Sequence, residues 1–202
     1  MCQSVSPIVN NSNEEKLSID RAIIDLNSCM ERELLIKKIC LLGDGGVGKT
    51  SLIRRYVYDI FSDKYITTIG TKVTKKIISF PSATITLLIY DILGQKRYEK
   101  LHKVYYKGSS GALVVSDITH HDTIENMRSW AKDIFEVTGI KPLVFIVNKI
   151  DLRLDYSSER AKELASEFNT SAVFTSAKTG KNVEYAFRTL AKMLLENTKA
   201  QN

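Results

Sequence analysis

Ile36-Lys37-Lys38-Ile39-Cys40-Leu41-Leu42-Gly43-Asp44-Gly45-Gly46-Val47-Gly48-Lys49-Thr50-Ser51 decides the fold. An apolar, β-leaning run ends in a glycine-rich loop, and Ser51-Leu52-Ile53-Arg54-Arg55-Tyr56 continues as a helix. Gly43 to Thr50 fits G-x-x-x-x-G-K-[ST] at every fixed position. Glycines let the backbone bring a run of N–H groups, Gly45 through Ser51, against phosphate oxygens. The helix that starts there adds its positive end. Lys49 would place an ammonium on the outer phosphates, and the Thr50 hydroxyl would hold Mg²⁺. A glycine-rich turn that binds nothing is the plainer alternative, but this loop has the preceding strand and following helix that the mechanism requires.

Outward from this stretch, strand and helix alternate. Strands are expected at Ile36–Leu42, Lys72–Phe80, Thr84–Tyr90, Ala112–Ser116, Leu143–Val147 and Ala172–Phe174. Helices are expected at Lys49–Tyr58, Gln95–Lys107, Thr123–Val137 with Asp122 as N-cap, Glu159–Phe168 and Asn182–Glu196. The second and third strands are joined only by Pro81-Ser82 and should form a hairpin. The pattern predicts an α/β P-loop NTPase. It has a mostly parallel six-stranded sheet, one antiparallel edge strand and helices on both faces. Ligands on such sheets sit at the carboxyl ends of the strands.

Two further motifs fall at strand ends. Asp91-Ile92-Leu93-Gly94-Gln95 offers an acid for Mg²⁺, a glycine N–H for a terminal phosphate, and Gln95 to orient an attacking water. Alone, it could equally be an acid in a turn. Asn148-Lys149-Ile150-Asp151 places a carboxylate where it can accept two hydrogen bonds from a ring edge with neighbouring N–H donors. Guanine has such an edge and adenine does not, so an analogue lacking the donors would leave Asp151 unpaired. The Lys149 stem can cover a ring face. Ser176-Ala177-Lys178 completes the pocket, with the Ala177 N–H expected on a base carbonyl.

Composition narrows the setting. Of 202 residues, 44% are hydrophobic, enough for a substantial core. Cys2, Cys29 and Cys40 are too few and scattered for a disulfide framework or a zinc site. No stretch reads as a signal peptide or a membrane span, which points to a cytoplasmic protein. The pI of about 9.1 comes with no base-reading element, so nucleic acid is not an expected partner. Charge is uneven. Residues 1–35 hold three cations against six carboxylates, a net −3, whereas the remainder carries +9. A polar start gives way to Ile19, Ile23, Leu26, Met30 and Leu34, the apolar stripe of a helix. The stripe could dock on the body, on a partner or second copy, or on a membrane surface, although its acidic polar face argues against anionic lipid. The expected organisation is a 1–35 extension, a 36–197 nucleotide-binding domain and a 198–202 tail.

In these motifs the chain resembles a small GTPase of the Ras superfamily, of its Rab-like branch, over about residues 36–197. The resemblance implies a GTP/GDP switch with slow hydrolysis, served by an exchange factor, a GTPase-activating protein and effectors. It also extends the site. Phe61-Ser62-Asp63-Lys64-Tyr65-Ile66-Thr67-Thr68-Ile69-Gly70 resembles the first switch. By that match Phe61 packs by the base, Tyr65 closes over the phosphates, and Thr68 binds Mg²⁺ and senses the γ-phosphate. The implied catalytic set is Gln95, Lys49 and Thr68. The implied metal set is Thr50, Thr68 and Asp91. Tyr105-Tyr106-Lys107-Gly108 matches the Rab pattern after the second switch, and Gly45 fills a position where the family needs a small residue.

Several positions depart from the family. Tyr90 replaces a tryptophan, Ile92-Leu93 replace a smaller pair, and Thr71-Lys72-Val73 lack the usual acid and phenylalanine. The sequence ends without a prenylation cysteine, so any peripheral membrane association would use another route; a divergent eukaryotic or archaeal source is expected. Leu93 beside the Gly94 hinge keeps open a GTP-binding scaffold with negligible turnover. No internal arginine finger is evident, and template enzymes without one turn over at roughly 10⁻⁴–10⁻³ s⁻¹. Lys64, Lys72, Lys75, Lys76, Lys96, Arg97, Lys100, Lys103 and Lys107 make the switch region basic. That is either a solvated face or a surface for an acidic partner, including the acidic leader.

Overall fold

The computed structural model describes residues 33–62, 70–94, 99–152 and 159–200. Within them six strands are β1 (Glu33–Leu42), β2 (Thr71–Ser79), β3 (Ala83–Ile92), β4 (Gly111–Asp117), β5 (Leu143–Asn148) and β6 (Ala172–Phe174). Five helices are α1 (Lys49–Tyr58), α2 (Glu99–Tyr106), α3 (His121–Thr138), α4 (Glu159–Glu167) and α5 (Val183–Lys199). The strands form one sheet in the order β2-β3-β1-β4-β5-β6. Every pairing is parallel except β2 with β3. The hairpin closes where the Phe80 N–H donates to the Ala83 carbonyl at 2.8 Å.

Helices lie on both faces, so the central strands bury both rows of side chains and lose alternation. All of β4 and β5 is buried. Under α1 and α5 lies a core that includes Ile39, Leu41, Leu52, Leu87, Ile89, Phe187 and Leu190. In it Tyr56 stacks on Phe187 with ring centroids 4.1 Å apart. On the opposite face Cys40, Leu42, Val114, Met127, Trp130, Phe145 and Leu164 pack together. Burial raises the Cys40 thiol to about 11, against the pull of its Ser109 contact and Lys38.

The structure corrects several expectations. β1 begins at Glu33, so Leu34 belongs to the sheet and not to a helical stripe; Glu33–Ile36 pair with Ala83–Thr86, and that ladder outweighs the local helical spacing. Asp91 is the penultimate residue of β3 rather than a residue after it. Helix α3 starts at His121 with His120 at its N-cap, leaving Asp122 in the first turn, where a negative charge still suits the helix dipole. Its entry is held instead by the Thr123 hydroxyl, which accepts from the Asp117 N–H at 2.9 Å and donates to the His120 carbonyl at 2.7 Å. Helix α5 runs on through Thr198 and Lys199. Helix α2 starts at Glu99; residues 95–98, like the leader helix expected from Leu17, lie outside the described residues.

Candidate functional site

The loop from Gly43 to Gly48 joins the central strand β1 to α1 at the carboxyl end of the sheet. Gly48 has φ +99°, and a Cβ there would stand 2.4 Å from the Asn148 Nδ2, so both conformation and space require glycine. Gly45 is looser. A Cβ would meet the Gly94 carbonyl at 3.7 Å, an ordinary contact, so the loop's own packing does not demand glycine there. Gly46 has φ +79°, Val47 is buried, and Ser51 is half-buried in α1.

Lys49 opens α1 and is buried, and its Nζ donates to the Gly43 and Asp44 carbonyls at 2.8 Å each. Burial lowers this ammonium to about 8, against the pull of the Asp91 and Asp44 carboxylates. Beside it the Thr50 hydroxyl donates to Asp91 Oδ2 at 2.5 Å. Asp91 Oδ1 is buried with no partner among the described residues. Burial pushes this carboxyl up; the Thr50 bond and nearby Lys49, Lys72 and Arg54 pull it back only in part. A hydroxyl and a carboxylate with one orphaned oxygen are hard donors that fit Mg²⁺. Gly94 closes the site from the far side. A Cβ on it would stand 2.4 Å from Lys49 Nζ and 2.5 Å from the Asp44 backbone, so any side chain would collide with the loop.

A second cluster lies at the ends of β5 and β6. Asn148 ends β5, and its Nδ2 donates to the Val47 carbonyl at 2.9 Å, while its Oδ1 accepts from the Thr175 hydroxyl and the Ala177 N–H at 3.1 Å each. One buried side chain thereby ties the glycine-rich loop to the Ser176–Lys178 segment. The Ala177 N–H, expected on a base carbonyl, also donates to Asn148. The Ser176 hydroxyl donates to Asp151 Oδ1 at 2.6 Å, fixing a carboxylate that is otherwise exposed. Lys178 is exposed, and Phe61 is partly buried against the core under α1 and α5. Tyr65, Thr68 and Gln95 lie outside the described residues.

Three supporting residues were not singled out in the sequence. Asp44 Oδ1 accepts from the Trp130 indole at 2.8 Å and its Oδ2 from Asn126 at 2.7 Å, pinning the loop to α3. Its position inside the loop motif is unrestricted, so only the partners on α3 reveal it. Asp117, at the end of β4, accepts from Lys149 Nζ at 2.6 Å and from the Thr119 N–H and hydroxyl. An acid closing an apolar strand was the available signal. Burial alone would raise Asp117, but its bonds with Lys149 and Thr119 outweigh that and hold it below the usual carboxylate range. Arg55 donates to the Ala177 and Lys178 carbonyls at 2.9 and 2.7 Å, bracing that segment from α1.

The arrangement joins an ammonium-bearing loop, a hydroxyl–carboxylate pair and a carboxylate at the rim. A model of the Ras family matches residues 38–196 of this chain. The Ras-related protein Rab-21 of Geodia cydonium is 40% identical over 169 residues, spanning 82% of this chain and 74% of that protein. Human Ras-related protein Rab-21 is 36% identical over 165 residues, 80% of this chain and 73% of its own length. The GTP-binding protein ypt1 of Schizosaccharomyces pombe is 35% identical over 165 residues, 79% of this chain and 80% of its own.

Proposed function

The chain belongs to the Ras family of small GTPases, on its Rab branch, and from that premise we propose how its own residues bind the nucleotide and split GTP. It is a GTP-binding switch that hydrolyses GTP to GDP; a scaffold without turnover is not favoured. The observation that carries our assignment is the double attachment of Asn148, which makes the phosphate loop and the base-side segments one rigid unit.

In this reading the backbone of Gly45–Ser51 cradles the phosphates. Lys49 exchanges its loop carbonyls for phosphate oxygens, and burial in a water-poor site strengthens its field there. Thr50, Thr68 and Asp91 would hold Mg²⁺, which when bound neutralises developing charge on the phosphates. Gly94 offers its N–H, and Gln95 orients the attacking water. Asp151, held by Ser176, accepts from the guanine edge. Lys149 and Phe61 flank the base, the Ala177 N–H is shared between Asn148 and a base carbonyl, and Lys178 lines the rim. Tyr65 closes over the phosphates.

Residues 33–199 would form the working domain, with 1–32 as a leader. We place the protein in the cytoplasm with peripheral membrane association, as a switch in membrane trafficking or signalling. Among the described residues no helix is long and apolar enough to cross a membrane. Exposed Lys72 and Lys75 on β2 support an acidic partner for the switch region.

The test is to denature the purified protein, identify the released nucleotide, and follow phosphate release from GTP with and without Gln95→Leu. Guanine nucleotide, with turnover that falls in the variant, is the expected result. ADP or an empty site would overturn the role of Asp151. Unchanged turnover in the variant would overturn the role of Gln95.

A further inference from the structure

Among the described residues, one face of the sheet is left open over its β2–β3–β1 wing. Register and alternation put Leu34, Ile36 and Lys38 of β1 on the same side as Thr84, Thr86 and Leu88 of β3 and Ser79, Ile77 and Lys75 of β2. The next row adds Tyr90 and Val73. Leu34 is 80% exposed, Ile36 72%, Ile77 54% and Val73 49%, so four large apolar side chains face outward on the two strands that flank β3. The opposite side of the same strands is covered, since Ile39, Ile78, Ile85, Leu87 and Ile89 lie in the core beneath α1 and α5. A parallel sheet normally buries both faces, and an apolar strip of this kind marks a contact surface.

We infer that this strip seats the chain's own leader, with residues 17–30 wound as a helix. The leader carries Ile19, Ile23, Leu26 and Met30 at helical spacing, four apolar side chains that a helix would line up on one face. It joins the sheet at Glu33, immediately before Leu34, so it is tethered to the rim of the strip at high effective concentration. Glu31 and Arg32 give the short turn that a helix-to-strand connection needs. Fourteen helical residues extend about 21 Å. The strip from the Thr84 row to the Tyr90 row covers six strand steps, about 20 Å. Charge agrees as well. Residues 1–32 hold five carboxylates against three cations, and Lys38 and Lys75 stand at the upper end of the strip. Lys38 is held there by the Lys107 carbonyl at 2.6 Å and lies over the Tyr90 ring. That upper end lies next to the Thr71–Ile92 pair, the last of the β2–β3 ladder.

Hydrogen exchange of the full GDP-loaded chain, beside a synthetic peptide of residues 1–32, tests this. Amides of 17–30 should exchange slower in the chain than in the peptide by about tenfold or more. Leu26→Asp, and separately Ile36→Asp with Ile77→Asp, should return them to the peptide rate. The leader variant should retain GDP, which keeps this outcome separate from the nucleotide assignments. Peptide-like rates in the unaltered chain, or protection that survives both variants, would overturn the inference. Protection that disappears on dilution would also overturn it, because the leader would then lie on a second copy.

Discussion

In the proposed site Asp151 meets the base with a carboxylate already aligned by Ser176. Inosine diphosphate lacks the exocyclic amine and would leave one oxygen unpaired. A hydrogen bond to a charged group is worth about 1.5–3 kcal/mol, so GDP should outcompete inosine diphosphate roughly ten- to hundredfold. Competition binding with Asp151→Ala should erase that gap. Asn148 ties the glycine-rich loop to the Thr175–Ala177 segment. Asn148→Ala strands the Val47 carbonyl, the Thr175 hydroxyl and the Ala177 N–H, each buried group costing about 1–3 kcal/mol if left unpaired. Denaturant midpoints should fall by a corresponding amount, with nucleotide present or removed. Asp117 carries a pH signature. Its folded-state pKa is depressed, so the stability it contributes is present above the ordinary carboxylate range and is lost as pH falls through the folded value. The stability gap between the wild type and Asp117→Asn should therefore narrow from pH 5 downward in thermal melts.

At the scale of elements, legibility followed the strength of local signals. The loop motif, the hairpin and the apolar runs of β4 and β5 fixed type and order, because tight turns and double-sided burial leave marks in a few adjacent residues. Ends were less readable. β1 extends to Glu33 only because β3 supplies partners about fifty residues later, and nothing near Leu34 announces them. Asp44, Asp117 and Arg55 escaped for the same reason, since their partners are Trp130, Lys149 and the Ala177 carbonyl, far off in sequence. The α1–α5 contact escaped as well, because the stacking of Phe187 on Tyr56 joins residues far apart in sequence. Phe187→Ala should cost about 3–5 kcal/mol. A fall in the thermal midpoint without a change in nucleotide preference is the expected reading.

Across the whole molecule, the two cores differ in when the chain can complete them. The face under α2, α3 and α4 is assembled from residues that end at Phe174. The face under α1 and α5 needs Val183, Phe187, Leu190, Ala191 and Leu194, which belong to the last helix. During synthesis the central strands therefore keep one apolar side only partly covered until the last helix is translated. Nascent chains stalled before Val183 should stick to holdase chaperones and stay protease-sensitive, as pulse-labelled pull-downs on arrested ribosomes would register. Nucleotide loading should therefore wait for α5, because the phosphate loop springs from β1, whose Ile39 and Leu41 belong to a core that this helix completes.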